Sequence, residues 1–351
     1  MTRNRKGIPR PLKELAIAEY ISDYFSREAC FPSNEEIVDK LKSEFAEEEV
    51  GPLYPKDITN LKKGAYKLLE IEVALPRAGN IEVELREALD LDGAIVVGSP
   101  YRNYDMDILR NIIGYQAARF FDENVRDGQS VTFSCSLTMR EMIKRVSGNY
   151  TNLKVMADSV VAVDEFHVMS PASLVVLFLD RFPECRGISY ICPPSLVEMM
   201  GREKLQQMLD SAVFSQSFQA DWVFVGVGAL TQELSGHGLT PGFDFLTHVV
   251  THSADDLRNR GVVGEISYWP FDSNGEPVYR GVGETLPYFR HVFTYSKFDE
   301  LSRKHRLNSQ ARTRVVGAAG GLHKVEAIKA AARYLDYLVT DVKNAQAILE
   351  S

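Results

Sequence analysis

Residues 315–328 read VVGAAGGLHKVEAI and place a short apolar run, two glycines and a helical repeat in immediate succession. The apolar run at 315–318 has the length of a buried strand, and Ile328 belongs to the helical repeat that follows it. Gly320 and Gly321 allow a tight turn and a close approach of the backbone to a ligand. A strand, a glycine loop and a helix in this order are typical of parallel α/β sheets, which bind ligands at the carboxyl ends of their strands.

The same alternation of short apolar runs and helical stretches recurs over the last three-quarters of the chain. The further runs are residues 94–97, 131–134, 160–163, 188–191, 222–227 and 337–340. Strands that are apolar throughout, rather than alternating, are typical of sheets covered on both faces. These runs therefore predict an α/β domain with a mainly parallel sheet and helices on both sides.

The N-terminal part of the chain has a helical pattern instead. Apolar residues at helical spacing predict one helix over residues 12–25, and Ser33 with Glu36 forms a capping box that opens a second helix. A third helix is predicted from Pro55, followed by an alternating stretch at 70–75 that resembles a short strand or wing.

Proline and glycine at residues 76–80 (PRAGN) interrupt regular structure and indicate a linker. We expect a small domain at residues 1–76, a linker at 77–86 and a large α/β domain at 87–351. The 351 residues, 45% of them hydrophobic and 25% charged, suit two unequal globular domains.

Composition excludes several classes of protein. The net charge of −8 argues against a surface that coats nucleic acid wholesale, although a small DNA-reading domain on an acidic body remains compatible with it. No apolar run approaches the ~20 residues that span a bilayer, and the basic N-terminus lacks the apolar stretch of a secretory signal, so we expect a cytoplasmic protein. The cysteines lack CxxC pairs and histidines at zinc spacing, which predicts free thiols, no metal and no cofactor. They are Cys30, Cys135, Cys185 and Cys192.

The loop between the run at 131–133 and the next helix consists of small residues. It reads Ser134-Cys135-Ser136-Leu137-Thr138. Unpaired N–H groups and the macrodipole make a helix N-terminus attractive to anions, and hydroxyl side chains add donors there. Plain helix capping by Ser136 or Thr138 explains the same residues equally well.

Lys324 lies in the first turn of the helix after Gly320 and Gly321. A cation at a helix N-terminus is unfavourable with the dipole unless an anion is held there. The position therefore favours a ligand role for Lys324 over the alternative of a solvent-facing lysine.

Two further segments contribute candidate ligand residues. Asp221 directly precedes the apolar run at 222–227, and Gly226 and Gly228 form a Gly-x-Gly pattern at the end of this run. A tight turn from strand to loop, without a ligand, would also explain the two glycines. Glu265 lies in an apolar segment where a carboxylate needs a partner, and sugar hydroxyls would supply one.

Catalytic signatures are weak. The sequence contains neither a G-x-S-x-G elbow nor a P-loop, and His237, His248 and His252 have no metal-ligand spacing. Asp164 and Glu165 could act as an acid–base pair, but a solvated strand end explains them more simply. We therefore expect no catalytic residues and a protein that is not an enzyme.

Six segments, taken in order, resemble the sugar-binding domain of SorC-type bacterial transcriptional regulators, a DeoR-like effector domain. They are residues 92–99 (DGAIVVGS), 130–139 (SVTFSCSLTM), 220–228 (ADWVFVGVG), 261–275 (GVVGEISYWPFDSNG), 318–328 (AAGGLHKVEAI) and 338–349 (LVTDVKNAQAIL). The similarity spans about residues 87–351.

The resemblance implies the fold of ribose-5-phosphate isomerase and glucosamine-phosphate deaminase and a phosphorylated sugar as effector. Ser136, Leu137 and Thr138 would present the phosphate loop, Lys324 the counter-charge and Glu265 an acceptor for sugar hydroxyls. With the flanking residues, the expected effector site comprises Ser134, Ser136, Leu137, Thr138, Asp221, Gly226, Gly228, Glu265, Gly320, Gly321 and Lys324.

The resemblance also places a winged helix-turn-helix at the N-terminus, with residues 58–65 (ITNLKKGA) as the recognition helix. The expected DNA contacts are Lys56, Thr59, Asn60, Lys62, Lys63 and Lys67. Two features depart from the family: an acidic, lengthened turn at 44–52, and Gly64 inside the helix. A three-helix dimerisation or docking module without DNA is the alternative.

Two of the ligand loops differ from the family pattern, and the differences indicate what kind of ligand the site would take. Cys135 and Ser136 replace the aromatic–glycine or glycine pair that relatives often have, so the shape of the pocket should differ. Asp164 and Glu165 stand where relatives tend to have glycine or a basic residue, and two acids are poor neighbours for a second phosphate. The acidic pair therefore favours a singly phosphorylated or unphosphorylated ligand.

The sequence thus predicts a regulator that binds operator DNA as a homodimer or homotetramer under control of a sugar phosphate. One alternative is a sugar-phosphate isomerase or deaminase, with Glu265, Asp221 or Asp164 as general base. Another is a regulatory partner that has lost ligand binding.

Overall fold

A computed structural model describes most of the chain. The described residues are 13–14, 16–21, 24, 32–44, 55–68, 78–98, 106–161, 170–190, 192–230, 254–278 and 292–351. Residues Ala78–Val97 and Met106–Ser351 form one compact unit, and the described residues up to Leu68 belong to a second, smaller one. Each unit is described by itself.

The smaller unit contains a helical segment at 16–21 and the helices α1 (Asn34–Glu44) and α2 (Pro55–Leu68). Its core is small and aliphatic, with Ile17, Ile21, Ile37, Leu41, Ile58, Leu61 and Ala65 all buried. The predicted capping box is present, because Ser33 N donates to Glu36 Oε2 (2.6 Å) and Glu36 N donates to Ser33 Oγ (3.2 Å). The predicted wing at 70–75 lies outside the described residues.

The first half of the larger unit alternates helices and strands. In chain order the elements are α3 (Gly79–Ala88), β1 (Gly93–Val97), α4 (Met106–Asn124), β2 (Ser130–Phe133), α5 (Leu137–Ile143), β3 (Lys154–Ala157), β4 (Ser159–Val161), α6 (Pro171–Arg181), β5 (Arg186–Ile188), α7 (Pro194–Met200) and α8 (Arg202–Leu209). A π-helical turn, Asp210–Phe214, follows α8.

The second half continues the alternation and adds short antiparallel strands. Its elements are β6 (Trp222–Val225), β7 (Gly228–Ala229), α9 (Ala254–Asn259), β8 (Gly264–Ile266), β9 (Trp269–Phe271), β10 (Val292–Thr294), α10 (Arg303–Asn308), β11 (Arg314–Ala318), a 3-10 turn (Leu322–Lys324), α11 (Val325–Ala331), β12 (Tyr337–Asp341) and α12 (Val342–Glu350).

The main sheet has seven strands in the order β1-β12-β11-β6-β2-β3-β5, and every neighbouring pair is parallel. From β2 the chain moves outward to β3 and β5, and then returns to the other side of β2 for β6, β11 and β12. The reversal puts a topological switch point between β2 and β6, where sheets of this type form a ligand crevice. The prediction of a mainly parallel α/β sheet is confirmed.

The central strands are apolar because both of their faces are covered. All four residues of β6 are buried, and Phe224 from this strand packs against Phe120 and Phe121 of α4. Burying a phenylalanine side chain contributes about 1.5–3 kcal/mol, so this aromatic layer fixes α4 against the sheet.

Two small antiparallel sheets accompany the main one: β7-β8-β9, and β4 with β10. The strands β8 and β9 are joined by Ser267 and Tyr268, both with positive φ (52° and 68°). Such a two-residue turn normally carries Asn or Gly, and a bulky residue in this conformation is strained. Tyr268 N donates to Glu265 Oε2 at 2.9 Å, which helps to hold the turn.

Two boundaries differ from the prediction. Residues 79–86, expected to belong to a linker, lie in α3, whose Leu85 is fully buried against the larger unit. Gly79 begins the helix rather than breaking it, and helical spacing outweighs the neighbouring proline. The apolar run at 160–163 also differs, because its residues 160 and 161 belong to β4, while β3 of the main sheet precedes them.

Candidate functional site

Four neighbouring strands of the main sheet, β3, β2, β6 and β11, deliver loops to the same edge. Because the strands are parallel, the residues after each carboxyl end meet there. The residues concerned are Asp158 after β3, Ser134–Ser136 after β2, Gly226 and Val227 after β6, and Gly320–Lys324 after β11.

The hydroxyls of the loop after β2 are used by the protein backbone. Ser134 is buried, and its Oγ accepts a hydrogen bond from Gly226 N at 3.0 Å. Ser136 is the N-cap of α5, and its Oγ accepts from Met139 N at 3.0 Å. Helix capping therefore accounts for Ser136, while Leu137 begins the helix and Thr138 is buried within it.

Glycine at position 226 lets the loops after β2 and β6 touch. A Cβ at Gly226 would lie 2.6 Å from both Cβ and Oγ of Ser136, closer than real side-chain contacts. Gly228 has a similar role, since a Cβ there would lie 2.3 Å from Oε1 of Glu265. The segment 226–228 therefore lies between Ser136 on one side and Glu265 on the other.

Lys324 joins the same segment. Its Nζ donates to the carbonyl O of Val227 at 2.6 Å, and within the described residues no carboxylate lies in ion-pair distance of it. The side chain is partly exposed, yet burial lowers the pKa of Lys324 to about 8, with Arg110 lowering it further and Glu265 opposing. The ammonium is therefore desolvated, although part of the side chain remains exposed.

Glu265 is the carboxylate next to this ammonium, and it is only 7% exposed. Burial raises the pKa of Glu265 to about 7; Tyr268 N and Lys324 lower it, and Asp158 raises it. Desolvation outweighs the attraction of Lys324, so the carboxyl is partly protonated near neutral pH.

Two residues of this edge were not predicted. Asp158 is completely buried after β3, and burial raises its pKa to about 6. Arg110 lies in the second turn of α4, where it lowers the pKa of Lys324 and, together with burial, that of His323 to about 4. Asp158 was missed because the strand was predicted at 160–163. Arg110 was missed because no motif in the sequence around it indicates a ligand site.

The packing of α4 against the glycine loop brings Arg110 to the edge. A Cβ at Gly320 would lie 2.5 Å from Cδ1 of Ile113, and one at Gly321 would lie 3.4 Å from Cε of Met106. Gly321, with φ at 97°, donates its N–H to Asp341 Oδ2 at 2.6 Å. Both glycines thus allow close packing with the protein itself.

Asp221 does not lie at the site. It precedes β6, at the amino edge of the sheet, where its Oδ2 accepts from Ser130 N and Ser130 Oγ, each at 2.8 Å. A residue that enters a parallel strand and one that leaves it lie at opposite edges, so the prediction for Asp221 is wrong. The candidates Asp164, Glu165, His237, His248 and His252 lie outside the described residues.

Of the expected DNA contacts, Thr59 and Asn60 are exposed on α2. Lys62 is 6% exposed, and its Nζ donates to Pro32 O (3.2 Å) and Asn34 Oδ1 (3.1 Å), so the prediction that it contacts phosphate is corrected. Its amine stabilises the start of α1 instead. The side chains of Lys56, Lys63 and Lys67 lie outside what the structure describes.

The cysteines in the described ranges, Cys135, Cys185 and Cys192, are free thiols, as predicted. Within those ranges no three acidic, histidine or cysteine side chains are placed to hold a metal ion. Among the described helices, none has the length and apolar character needed to cross a membrane.

A doubly wound parallel sheet with polar side chains gathered at its switch point defines a small-molecule-binding α/β domain. The chain belongs to a family of sugar-binding domains, because the family model described as "Putative sugar-binding domain" matches residues 76–286, more than half of its length. This match confirms the predicted sugar-binding domain, and solved structures of regulators share its fold.

A DeoR family transcriptional regulator from Listeria monocytogenes is 18% identical, with a TM-score of 0.58 over 77% of this chain and 98% of that one. A transcriptional regulator from Streptococcus pneumoniae TIGR4 is 17% identical, with a TM-score of 0.59 over 78% and 96%. The full-length sorbitol operon regulator SorC from Klebsiella pneumoniae is 16% identical, with a TM-score of 0.55 over 96% and 99%. The sequence has no significant match among curated proteins.

Proposed function

We propose that the protein is a transcriptional regulator whose binding to operator DNA is controlled by a phosphorylated sugar. The observation that carries the proposal is the desolvated ammonium of Lys324, held at the switch-point edge by a hydrogen bond to Val227 O. Arg110 adds a second positive charge nearby, and Glu265 adds an acceptor. An anion would bind the cations, and sugar hydroxyls would satisfy the carboxylate.

The regulatory part of the proposal is supported by the family. The solved SorC- and DeoR-family structures that share the fold are named as transcriptional regulators. In this chain the smaller unit would bind DNA through the exposed face of α2, which carries Thr59 and Asn60. We expect the protein to work in the cytoplasm as a homodimer or homotetramer on a palindromic operator.

A thermal-shift screen of phosphorylated sugars tests the effector. A ligand at 100 times its Kd stabilises the folded state by about 2.7 kcal/mol, which shifts Tm measurably. Lys324→Ala should abolish the shift. Lys329→Ala is the matched control, because Lys329 is exposed on α11, shortly after Lys324 in the sequence, and its Nζ bonds only Ser351 Oγ among the described residues.

DNA binding is tested separately, with the full chain and duplexes from its own upstream region. Affinity should fall steeply with salt, and the effector found in the screen should change it. Absence of DNA binding at low salt would contradict the regulator and leave the ligand site standing.

The enzyme alternative has one favourable observation, the carboxyl of Glu265 with a pKa of about 7, which suits a general base. The comparisons lend it no support, because the structures described above are named as regulators. Turnover of an aldose phosphate that disappears in Glu265→Gln would establish it.

A further inference from the structure

The carboxyl edge is electrically polarised. Arg110 lowers the pKa of Lys324, Lys324 lowers that of Glu265, and Asp158 raises that of Glu265, so these four groups interact as neighbours. Arg110 and Lys324 form a cationic end, and Glu265 and Asp158 form an acidic end.

The packing of the backbone supports the same arrangement. The helix α4, which carries Arg110, contacts Gly320 and Gly321 just before Lys324. Glu265 lies against Gly228, next to the carbonyl of Val227 that Lys324 binds. Asp158 directly follows β3, which lies two strands away from β6 and on the far side of β2.

The carboxyl of Asp158 is incompletely paired. Asp158 is completely buried, and while its Oδ1 accepts from Ser159 Oγ at 2.7 Å, its Oδ2 has no hydrogen bond of ordinary geometry among the described residues. The hydroxyl of Ser267 lies close enough to lower the pKa of Asp158 but falls outside that geometry. Glu265 Oε2 accepts from Tyr268 N at 2.9 Å.

A bound phosphate would leave the charges at this end unbalanced. Arg110 and Lys324 would pair with the phosphate, and among the described residues neither Asp158 nor Glu265, both buried, forms an ion pair of its own. Two ionised carboxyls in a desolvated place are costly unless a proton or a cation from the ligand compensates.

The turn at Ser267 and Tyr268 keeps this end in place. Both residues adopt the left-handed conformation although neither is glycine, a strain that is found mainly at functional sites. The turn brings the backbone N–H of Tyr268 to Glu265 and the Tyr268 side chain to Cys135.

We propose that the effector is an amino sugar phosphate, with its phosphate against Arg110 and Lys324 and its ammonium against Glu265, within reach of Asp158. The inference rests on the proposed function and specifies the ligand of the same site. A neutral sugar hydroxyl donates a hydrogen bond but brings no charge, so it would leave the two carboxyls uncompensated. An ammonium supplies three donors and the missing positive charge.

The test compares three probes on the full chain at neutral pH: glucosamine 6-phosphate, glucose 6-phosphate and N-acetylglucosamine 6-phosphate. They differ at one carbon, which carries an ammonium, a hydroxyl or an uncharged amide. Calorimetric titration should give a Kd for the amine at least about tenfold lower than for the other two. Equal affinity for amine and hydroxyl, or no binding of the amine, overturns the inference.

Variants test which carboxyls cause the preference for the amine. In Asp158→Asn the preference for the amine over the hydroxyl should shrink to less than about threefold, since one of the two negative charges is gone. Glu326→Gln removes a charge from the exposed first turn of α11 and should leave the preference unchanged. An unchanged preference in folded Asp158→Asn and Glu265→Gln would also overturn the inference.

Failure of this inference and failure of the proposed function are distinguishable. If glucose 6-phosphate binds as well as the amine and depends on Lys324, the sugar-phosphate sensor stands and only the zwitterionic ligand is rejected. If no phosphorylated sugar of the wider screen binds, the sensor itself is rejected.

Discussion

The ammonium of Lys324 donates a hydrogen bond of 2.6 Å to the main-chain carbonyl of Val227, 97 residues earlier in the chain. This bond joins the loops that leave two adjacent strands, β6 and β11, at the switch-point edge of the sheet. It uses one of three ammonium protons, so the cation is positioned by the protein while retaining donors for a ligand. The geometry of the site depends on how closely the neighbouring loops approach.

Gly226→Ala should therefore disrupt the site. The new Cβ would lie 2.6 Å from Ser136, so the loops after β2 and β6 must separate. We expect a loss of about 1–3 kcal/mol in the free energy of unfolding and a loss of effector binding. Urea denaturation and a thermal shift with the effector measure the two effects.

Gly79→Ala is the control for that substitution. A Cβ at Gly79 meets nothing within 4 Å, and the residue begins α3. Alanine there should be neutral or stabilise by roughly 0.5 kcal/mol. Equal stability of the two variants would show that the two loops do not need the close approach.

Much of this sheet could be predicted from the sequence because its strands are apolar on both faces. The runs at 94–97, 315–318 and 337–340 became β1, β11 and β12 with shifts of one residue. β3 was missed because it begins with Lys154 and is less apolar than the run at 160–163. That displacement moved the expected strand end from Asp158 to Asp164.

The site was only partly predictable because its members come from distant parts of the chain. Lys324 and Glu265 gave local signals, a cation at a helix start and a carboxylate in an apolar run. Arg110 lies in the second turn of a long helix with no motif around it, and only the packing of α4 against the glycine loop brings it to Lys324. Asp221 shows the reverse, a residue with the right chemistry at the wrong end of its strand.

Stability should depend on pH through Glu265. Its folded pKa of about 7 lies above the ordinary value of 4.5, so the folded state holds a proton that the unfolded state has released. Between these two values the stabilisation from this group is therefore lost as pH rises, by up to about 3 kcal/mol in total. Asp158, with a pKa of about 6, contributes in the same direction.

Glu265→Gln isolates this contribution. His323, whose pKa of about 4 is below its ordinary value, produces the opposite slope, but it is present in both proteins and cancels in the difference. The variant should gain stability relative to the wild type from about pH 5 to about pH 8. Urea titrations across this range measure the difference, with exposed Glu326→Gln as control. A constant difference would show that Glu265 titrates normally.

Lys62→Met tests the correction in the smaller unit. The variant removes the donor to Pro32 O and Asn34 Oδ1, so we expect destabilisation of that unit by about 1–3 kcal/mol. Exposed Asn60→Ala should leave stability within about 0.5 kcal/mol and weaken DNA binding. If Lys62→Met keeps its stability but lowers the salt dependence of DNA binding, then Lys62 is a phosphate contact after all.

Arg110→Ala should weaken binding of a sugar phosphate without unfolding the protein. The guanidinium forms an ion pair with Asp107 at 2.6 Å, but that carboxylate is 80% exposed, so losing the pair costs stability little. It also lies close enough to Lys324 and His323 to add to the lowering of their pKa values by burial. Repulsion between neighbouring cations is relieved when an anion binds among them, so ligand binding, and not the stability of the fold, depends on Arg110.

In Arg110→Ala we expect the Kd of the sugar phosphate to rise roughly tenfold, measured by calorimetric titration. Arg119→Ala, in the same helix and paired with Glu123, should change nothing, and equal Kd values for the two variants would remove Arg110 from the anion site.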